Sequence, residues 1–207
     1  MQTILLQPTY FPSIAQMVAV AQANAVAFEV HDNYQKQTYR TRAYIAHANG
    51  RLLLNVPIKH SKTGQRQKTR QVEPEDSFPW QSQHWKSLQT AYRTSPFFEF
   101  YEDDLRPLFY RKATNLLNHH LEIFEVVCEL IGIEVEPETT SEYFENPSQL
   151  DLRYLADAKN EPTFNLDPYT QVLQDHHGFL PNLSVIDLLF NEGPNALSYL
   201  ERQKLTF

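Results

Sequence analysis

The most informative chemical feature of the sequence is a basic segment without acids. From residue 33 to residue 72 there is no Asp or Glu, while nine of the 18 Lys and Arg residues fall there. Cations without a local carboxylate can bind an anion through charge-assisted hydrogen bonds, which are strongest where an Arg is bidentate. We therefore predict an anion site with Lys36, Arg40 and Arg42 as ligands. The alternative is an ordinary mixed surface, in which acids after Val72 pair with these cations.

The rest of this segment, residues 59–70, has few apolar side chains and predicts an exposed, mobile loop. Such a loop can close over a ligand, so Lys62 to Arg70 rank behind the other cations as ligands. A phosphorylated partner fits the charge pattern: a nucleotide-sugar, a coenzyme A thioester or an aminoacyl-tRNA.

A second candidate site is the segment from Gln7 to Pro12, which follows a short apolar run. In open α/β sheets, ligands bind where a strand leads into a helix. Gln7 can hydrogen-bond a substrate there, and Tyr10 can stack on a ring or donate a proton. The structural alternative is a turn held by the two prolines, with Tyr10 and Phe11 in the core. The segment has no glycine, so it does not resemble a glycine-rich nucleotide loop.

Two helical segments supply the other candidates. His84 can act as a general base, because the ordinary pKa of histidine is about 6.5. Lys86 can bind a phosphate or carboxylate, and Tyr92 is a further substrate-binding candidate. Asp187 and Asn191 are four residues apart and share one helix face, so we list Asp187 as catalytic and Asn191 as substrate-binding. For each of them the alternative is structural: a histidine beside core aromatics, or the first turn of a helix.

The sequence favours no metal site and leaves other cofactors open. The pairs His119-His120 and His176-His177 are adjacent, and neighbouring side chains on a helix point about 100° apart, so they rarely converge on one ion. The single cysteine, Cys128, lies in an apolar helical pattern and allows no intrachain disulfide. A reducing compartment follows, and we predict a cytoplasmic protein.

Membranes and nucleic acids are disfavoured as partners. The first residues lack a basic region and their apolar run is broken at Gln7 and Pro8, which predicts a buried strand rather than a signal peptide. No window approaches the roughly 18 apolar residues of a membrane span, so we predict no membrane insertion. The net charge of −7 argues against broad nucleic-acid binding, although binding to RNA stays open as a third possibility.

These residues must be positioned by a mixed α/β (α+β) fold, which we expect as a single domain over residues 1–207. Residues 3–6 and 25–30 read as strands, with a helix between them that starts at Ser13. Residues 38–46 and 51–58 alternate around Asn49-Gly50, which predicts a hairpin. Helices follow from about Trp80, the longest around residues 116–131. We predict a small mixed sheet from the N-terminal third, covered by helices from the remainder.

Three segments together resemble the WbqC-like protein family. They run from Gln7 to Pro12, from His84 to Pro96 and from Asn182 to Gly193, so they are spread over nearly the whole length of the chain. The basic hairpin region is similar as well, at Lys36, Arg42, Asn49-Gly50 and Val56-Pro57. The residue before Arg42 is Thr41, whereas many members have Asn there.

The resemblance implies a function that the residues alone do not. Some members lie among genes for surface polysaccharides and are suggested to attach an acyl or aminoacyl group to an amino sugar. We therefore predict such a transferase, in which the basic residues bind an activated anionic donor. The alternative is a noncatalytic module that binds an anionic ligand or a partner protein. An enzyme should have a concave pocket where Gln7, Tyr10, Arg42 and His84 converge; a module should instead have an exposed basic strip or a flat apolar patch.

Overall fold

The chain opens with a parallel β-α-β unit. In the computed structural model, which describes residues 2–60 and 66–207, strands β1 (Thr3–Leu6) and β2 (Ala25–Phe28) pair in parallel from Thr3–Ala25 to Leu6–Phe28. The connecting helix α1 (Ile14–Ala21) starts at Ser13, whose side chain accepts a hydrogen bond from the backbone N of Gln16. The unit and its N-cap confirm the prediction.

The hairpin is confirmed with shorter strands than predicted. Strands β3 (Arg42–His47) and β4 (Gly50–Asn55) pair antiparallel, and the turn places Gly50 at a φ of +101°, which glycine adopts without strain. Residues 38–41 are not part of β3, because they pair elsewhere. The backbone of Tyr39 donates to the carbonyl of Ala156 and accepts from the N–H of Tyr10.

The main sheet contains two strands that the sequence did not predict. Its order is β5-β2-β1-β6, all parallel, with β5 at Glu138–Thr139 and β6 at Leu150–Asp151. The mixed α+β class is confirmed, but the sheets differ from the predicted single mixed sheet. The parallel sheet includes two strands from residues 138–151, and the antiparallel hairpin forms a separate sheet.

Helices cover the sheet and the hairpin. After α1 they are α2 (Trp80–Tyr92), α3 (Phe98–Tyr110), α4 (Leu116–Ile131), α5 (Gln174–His177), α6 (Val185–Glu192) and α7 (Ala196–Arg202). Short 3-10 turns lie at Thr69–Gln71, Arg153–Ala156 and Gly193–Asn195.

The buried helix α6 organises the core. It contacts α1, α3, α7 and β3, and its residues from Val185 to Phe190 are almost entirely shielded from solvent. Gly193 ends it where a side chain does not fit, because a Cβ there would lie 2.5 Å from the ring of Phe97. Within residues 2–60 and 66–207, no helix is both long and apolar enough to cross a bilayer.

Candidate functional site

A large pocket lies at the carboxyl edge of the parallel sheet. Its volume is about 820 Å³, and its lining includes Gln7 after β1, Asp32 after β2 and Arg153 after β6. Parallel strands end at the same edge, so residues distant in sequence meet there. This is the usual position of ligand sites in open α/β sheets. We call it the carboxyl-edge pocket.

Its floor is built around the buried carboxylate of Asp32. Oδ2 accepts a hydrogen bond from Nε2 of Gln7 at 2.9 Å and one from the guanidinium of Arg40, and Oδ1 accepts from Oγ1 of Thr69 at 2.6 Å. The Arg40 side chain is completely buried and does not line the pocket. Burial lowers its pKa, while Asp32 opposes that shift. Arg40 is therefore used internally, as the counterion of Asp32.

One wall of the pocket carries free cations. Lys36, Arg66 and Lys68 line it, and none of them forms an ion pair within residues 2–60 and 66–207. Backbone pairing holds this wall: the N–H of Tyr34 donates to the carbonyl of Gln67, and residues 33 and 68 form a bridge. Lys68 Nζ also donates to the carbonyl of His31 at 3.3 Å. Residues 66–71 are thus held in place, unlike the predicted mobile loop; Lys62 lies outside the described residues.

The sequence left two alternatives for the basic segment: an anion site, or a mixed surface in which later acids pair with the cations. The remaining cations do not all follow one of these alternatives. Arg51 lies 3.6 Å from Glu161, and Lys59 lies 3.0 Å from Glu73, so acids after Val72 do neutralise part of the segment. Arg42 is half-buried at the start of β3, opposite Asn55, and does not line the pocket. The predicted anion ligands Lys36, Arg40 and Arg42 therefore do not act as one group; Lys36 alone faces the pocket.

The opposite wall presents tyrosine rings around a fixed arginine. Tyr143 and Tyr154 line the pocket with 51% and 41% of their surfaces exposed. Arg153 stands 5.3 Å from the centre of the Tyr143 ring and is bidentate to Asp151, with N–O distances of 2.8 and 2.6 Å. Its hydrogen bond with Asp151 raises the pKa of Arg153. Glu29, fully buried at the end of β2, lies 3.6 Å from the same guanidinium.

A second carboxylate, Asp157, lines the pocket and forms no ion pair among the described residues. Oδ1 accepts hydrogen bonds from the backbone N atoms of Lys159 at 2.8 Å and Asn160 at 3.1 Å, and Oδ2 accepts from Nδ2 of Asn160 at 2.8 Å. Partial burial opposes ionisation of this group, but the hydrogen bonds from Asn160 and Lys159 prevail and the pKa of Asp157 is lowered. Asp157 is therefore charged at neutral pH.

The predicted catalytic pair Tyr10 and His84 lies in the core instead. Their side chains are 2.8 Å apart, and the rings of Trp80 and His119 pack around Tyr10. Burial lowers the pKa of His84 to about 4, although the backbone carbonyl of Asn55 acts in the opposite direction. A neutral imidazole suits this position, since one nitrogen accepts from Tyr10 while the other donates to Asn55. Neither side chain lines the carboxyl-edge pocket.

The predicted residues Tyr92, Asp187 and Asn191 come together, but in a closed cluster. Asp187 is fully buried and accepts hydrogen bonds of 2.6 Å from both Tyr92 and Tyr169. Nε2 of Gln171 and Nδ2 of Asn191 complete its shell at 3.2 and 3.4 Å. Burial raises the pKa of Asp187, and these hydrogen bonds oppose the rise. We call these five residues the Asp187 cluster; the sequence analysis missed Tyr169 and Gln171.

The expected convergence of Gln7, Tyr10, Arg42 and His84 in one pocket is not found, because Gln7 alone lines it. Lys86 is exposed on α2 and faces no part of this pocket. The roles proposed for these residues from the sequence stay predictions. No set of three or more His, Cys, Asp or Glu side chains in the described part of the chain is arranged to hold a metal ion.

Several pocket residues were not identified from the sequence. Asp32 follows the apolar run of β2, and that position was a usable signal. Tyr143, Tyr154 and Asp157 follow strands of only two residues, which leave no periodicity to detect. Arg66 and Lys68 were in the basic segment but were ranked below Arg40, which the structure shows to be neutralised.

The chain belongs to the WbqC-like protein family, because the model of that family matches residues 7–161, which is more than half of the sequence. All residues that line the carboxyl-edge pocket fall within that stretch, whereas Asp187 and Asn191 lie outside it. The chain is also 27% identical over 202 residues to the uncharacterized protein Rv1507c of Mycobacterium tuberculosis (strain ATCC 25618 / H37Rv). That similarity covers 84% of this chain and 87% of the relative. No solved structure matches the chain.

Proposed function

We propose that this protein is an acyl- or aminoacyl-transferase that acts on an amino sugar in surface-polysaccharide biosynthesis, and that a phosphorylated ligand binds in the carboxyl-edge pocket. The observation that supports binding is the wall of Lys36, Arg66 and Lys68, whose charges no carboxylate among the described residues neutralises. Phosphate oxygens would supply the missing partners. The transfer reaction rests on the resemblance to the WbqC-like family.

Among the phosphorylated ligands considered, a nucleotide-sugar fits this pocket best. A volume of about 820 Å³ is within the usual range for small-molecule sites. Tyr143 and Tyr154 offer exposed faces on which a base or a sugar can stack, and Asp157 offers an acceptor for a sugar hydroxyl or amine. An aminoacyl-tRNA would need an extended basic surface, and the net charge of −7 disfavours one.

The proposed reaction joins the sugar nitrogen to an activated carbonyl. The amine attacks the carbonyl carbon of the donor, a C–N bond forms, and the bond from that carbon to its oxygen or sulfur leaving group breaks. The amine proton passes to a base or to water. The cations of the pocket would hold the phosphates while this occurs.

A noncatalytic binding module is the second candidate. The observation that favours it is the composition of the pocket lining, which contains no histidine, cysteine or serine among the described residues. A serine or cysteine nucleophile and a histidine base are therefore not presented to a ligand by these residues. Such a module would use the same cations and rings to bind a nucleotide-sugar, without chemistry.

Thermal stability tests the binding proposal, since a ligand that binds only the folded protein raises the melting temperature. Uridine diphosphate sugars and coenzyme A thioesters would be compared. We expect the nucleotide-sugars to give the larger shift, and Lys36→Ala and Lys68→Ala each to weaken binding about tenfold. Lys86→Ala is the matched control, because this lysine is exposed outside the pocket. The proposal fails if no nucleotide-sugar shifts the melting temperature, or if Lys86→Ala weakens binding as much as Lys68→Ala.

Product analysis separates the transferase from the module. The protein would be incubated with uridine diphosphate glucosamine and acyl coenzyme A, and mass spectrometry would seek the N-acylated sugar. A product that depends on Lys68 supports the transferase, whereas binding without a product for any donor in a broad acyl and aminoacyl panel supports the module. We also propose a cytoplasmic location, because the buried thiol of Cys128 is free and suits a reducing compartment.

A further inference from the structure

Among the described residues that line the carboxyl-edge pocket, Asp157 carries the acidic side chain that forms no ion pair. We propose that Asp157 makes the pocket selective for a free amine, so that it prefers a nucleotide-linked amino sugar over the N-acetylated form. This inference rests on the proposed function and names the feature of the ligand that the pocket distinguishes. It concerns binding, and it holds whether or not the protein also catalyses a transfer.

Asp157 differs from Asp32 in its hydrogen-bond and ionic partners. Both carboxylates line the pocket, but Asp32 is paired with the cation of Arg40 and also accepts from Gln7 and Thr69. Its charge is neutralised inside the protein. Asp157 receives only neutral donors from its own loop and forms no ion pair within residues 2–60 and 66–207. An ammonium group of a ligand would be its first cationic partner at hydrogen-bond distance.

The hydrogen bonds of Asp157 leave room for one more donor. An ionised carboxylate has about four acceptor positions. Oδ1 uses two of them for the backbone N atoms of Lys159 and Asn160, and Oδ2 uses one for the side chain of Asn160. The remaining position on Oδ2 can accept a hydrogen bond from an amine. An acetylated nitrogen carries no charge and adds bulk, so it would gain much less there.

The position of Asp157 suits a ligand that carries both negative phosphates and a positive ammonium group. A β-bridge joins Asp157 to Thr38, two residues from Lys36, and all three residues line the pocket. A nucleotide-linked amino sugar has phosphates next to a sugar that bears an ammonium group. Its phosphates would face Lys36 and Lys68 while its amine faces Asp157.

Calorimetric titration with three probes tests the inference: uridine diphosphate glucosamine, uridine diphosphate N-acetylglucosamine and uridine diphosphate glucose. We expect the wild-type protein to bind the amine about tenfold more tightly than either neutral probe. The preference should decline as the pH rises through the amine's own pKa, which is a readout that needs no variant. Equal affinity for all three probes overturns the inference but leaves the proposed function standing. Binding of none of them overturns both.

Two variants test whether the negative charge of Asp157 causes the preference for the amine. Asp157→Asn should bind all three probes about equally, because it removes the negative charge that favours the amine. Asn160→Ala is the matched control, because it removes the same side-chain hydrogen bond of the loop and keeps the carboxylate. It should retain the preference. If Asn160→Ala loses the preference too, or Asp157→Asn keeps it, Asp157 does not select the amine.

Discussion

The carboxyl-edge pocket and the Asp187 cluster both contain carboxylates among tyrosines, yet they differ in how their polar groups are satisfied. In the cluster, four side chains donate hydrogen bonds to one fully buried carboxylate. In the pocket, Lys36, Arg66 and Lys68 have no carboxylate partner among the described residues, and two tyrosine rings are exposed. The cluster satisfies its own polar groups, whereas the pocket, within the described residues, leaves cations without an ion pair and aromatic rings in contact with solvent.

This difference shows that similar side chains can form a closed cluster in one region and an open pocket in another. The structure brings Tyr92, Asp187 and Asn191 together, as their spacing allows. Their hydrogen bonds stabilise the core, since every donor already has an acceptor. A charge in contact with solvent and without a partner is the better indicator of a ligand site.

The largest expected effect is the loss of the Asp187 carboxylate. Asp187→Ala leaves the buried hydroxyls of Tyr92 and Tyr169 without their acceptor, so the free energy of unfolding should fall by about 4 kcal/mol. Urea denaturation measures the change, and Asp104→Ala, at an exposed position on α3, should stay within about 0.5 kcal/mol of wild type. A small loss of stability together with a complete loss of ligand binding would reverse our distinction between the two regions.

A slightly smaller loss of stability is expected for the buried ion pair of Arg40 and Asp32 at the floor of the pocket. Arg40→Met leaves Asp32 buried without its cation and should lower the free energy of unfolding by about 3 kcal/mol. The double variant Arg40→Met with Asp32→Leu should be more stable than the sum of the two single changes predicts, because it removes both charges. Additive losses in urea denaturation would mean that the two side chains do not act as a pair.

The third prediction concerns pH and the core histidine. The pKa of His84 is lowered to about 4 by burial, while the unfolded value is about 6.5, so the unfolded chain binds more protons between these values. Stability should therefore fall as the pH drops from about 6.5 to about 4, by up to about 3 kcal/mol from this group.

His84→Gln should reduce that pH dependence. Denaturation curves at a series of pH values would show it, and His176→Gln, at an exposed position on α5, should keep the wild-type dependence. If both variants behave like wild type, His84 is not held neutral in the folded protein.

The smallest effect separates an exposed ring that lines the carboxyl-edge pocket from an exposed ring outside it. Tyr154→Ala should leave stability within about 0.5 kcal/mol of wild type but weaken binding of uridine diphosphate glucose by about 1 kcal/mol, through lost stacking. Tyr110→Ala removes another exposed ring, at the end of α3, and should change neither property. Unchanged affinity in Tyr154→Ala would show that this ring does not contact the ligand.

Local patterns predicted much of the fold but little of the pocket. The strand-helix-strand opening, the Ser13 cap and the Asn49-Gly50 turn depend on neighbouring residues, and all three were predicted. Strands β5 and β6 have two residues each, too few for a pattern of alternation, and they join the sheet only through β1 and β2. The wall of Tyr143, Tyr154 and Asp157 depends on those strands and could not be foreseen.

By itself the sequence determined the family, the mixed α+β class and the presence of a basic segment near the start of the chain. Only the tertiary structure decided which of those cations are available. Arg40 meets Asp32 in the core, Arg51 and Lys59 meet acids beyond residue 72, and Lys36 and Lys68 face the pocket. Charge is a property of each residue, but neutralisation depends on distances of a few ångströms between groups that the chain folds together.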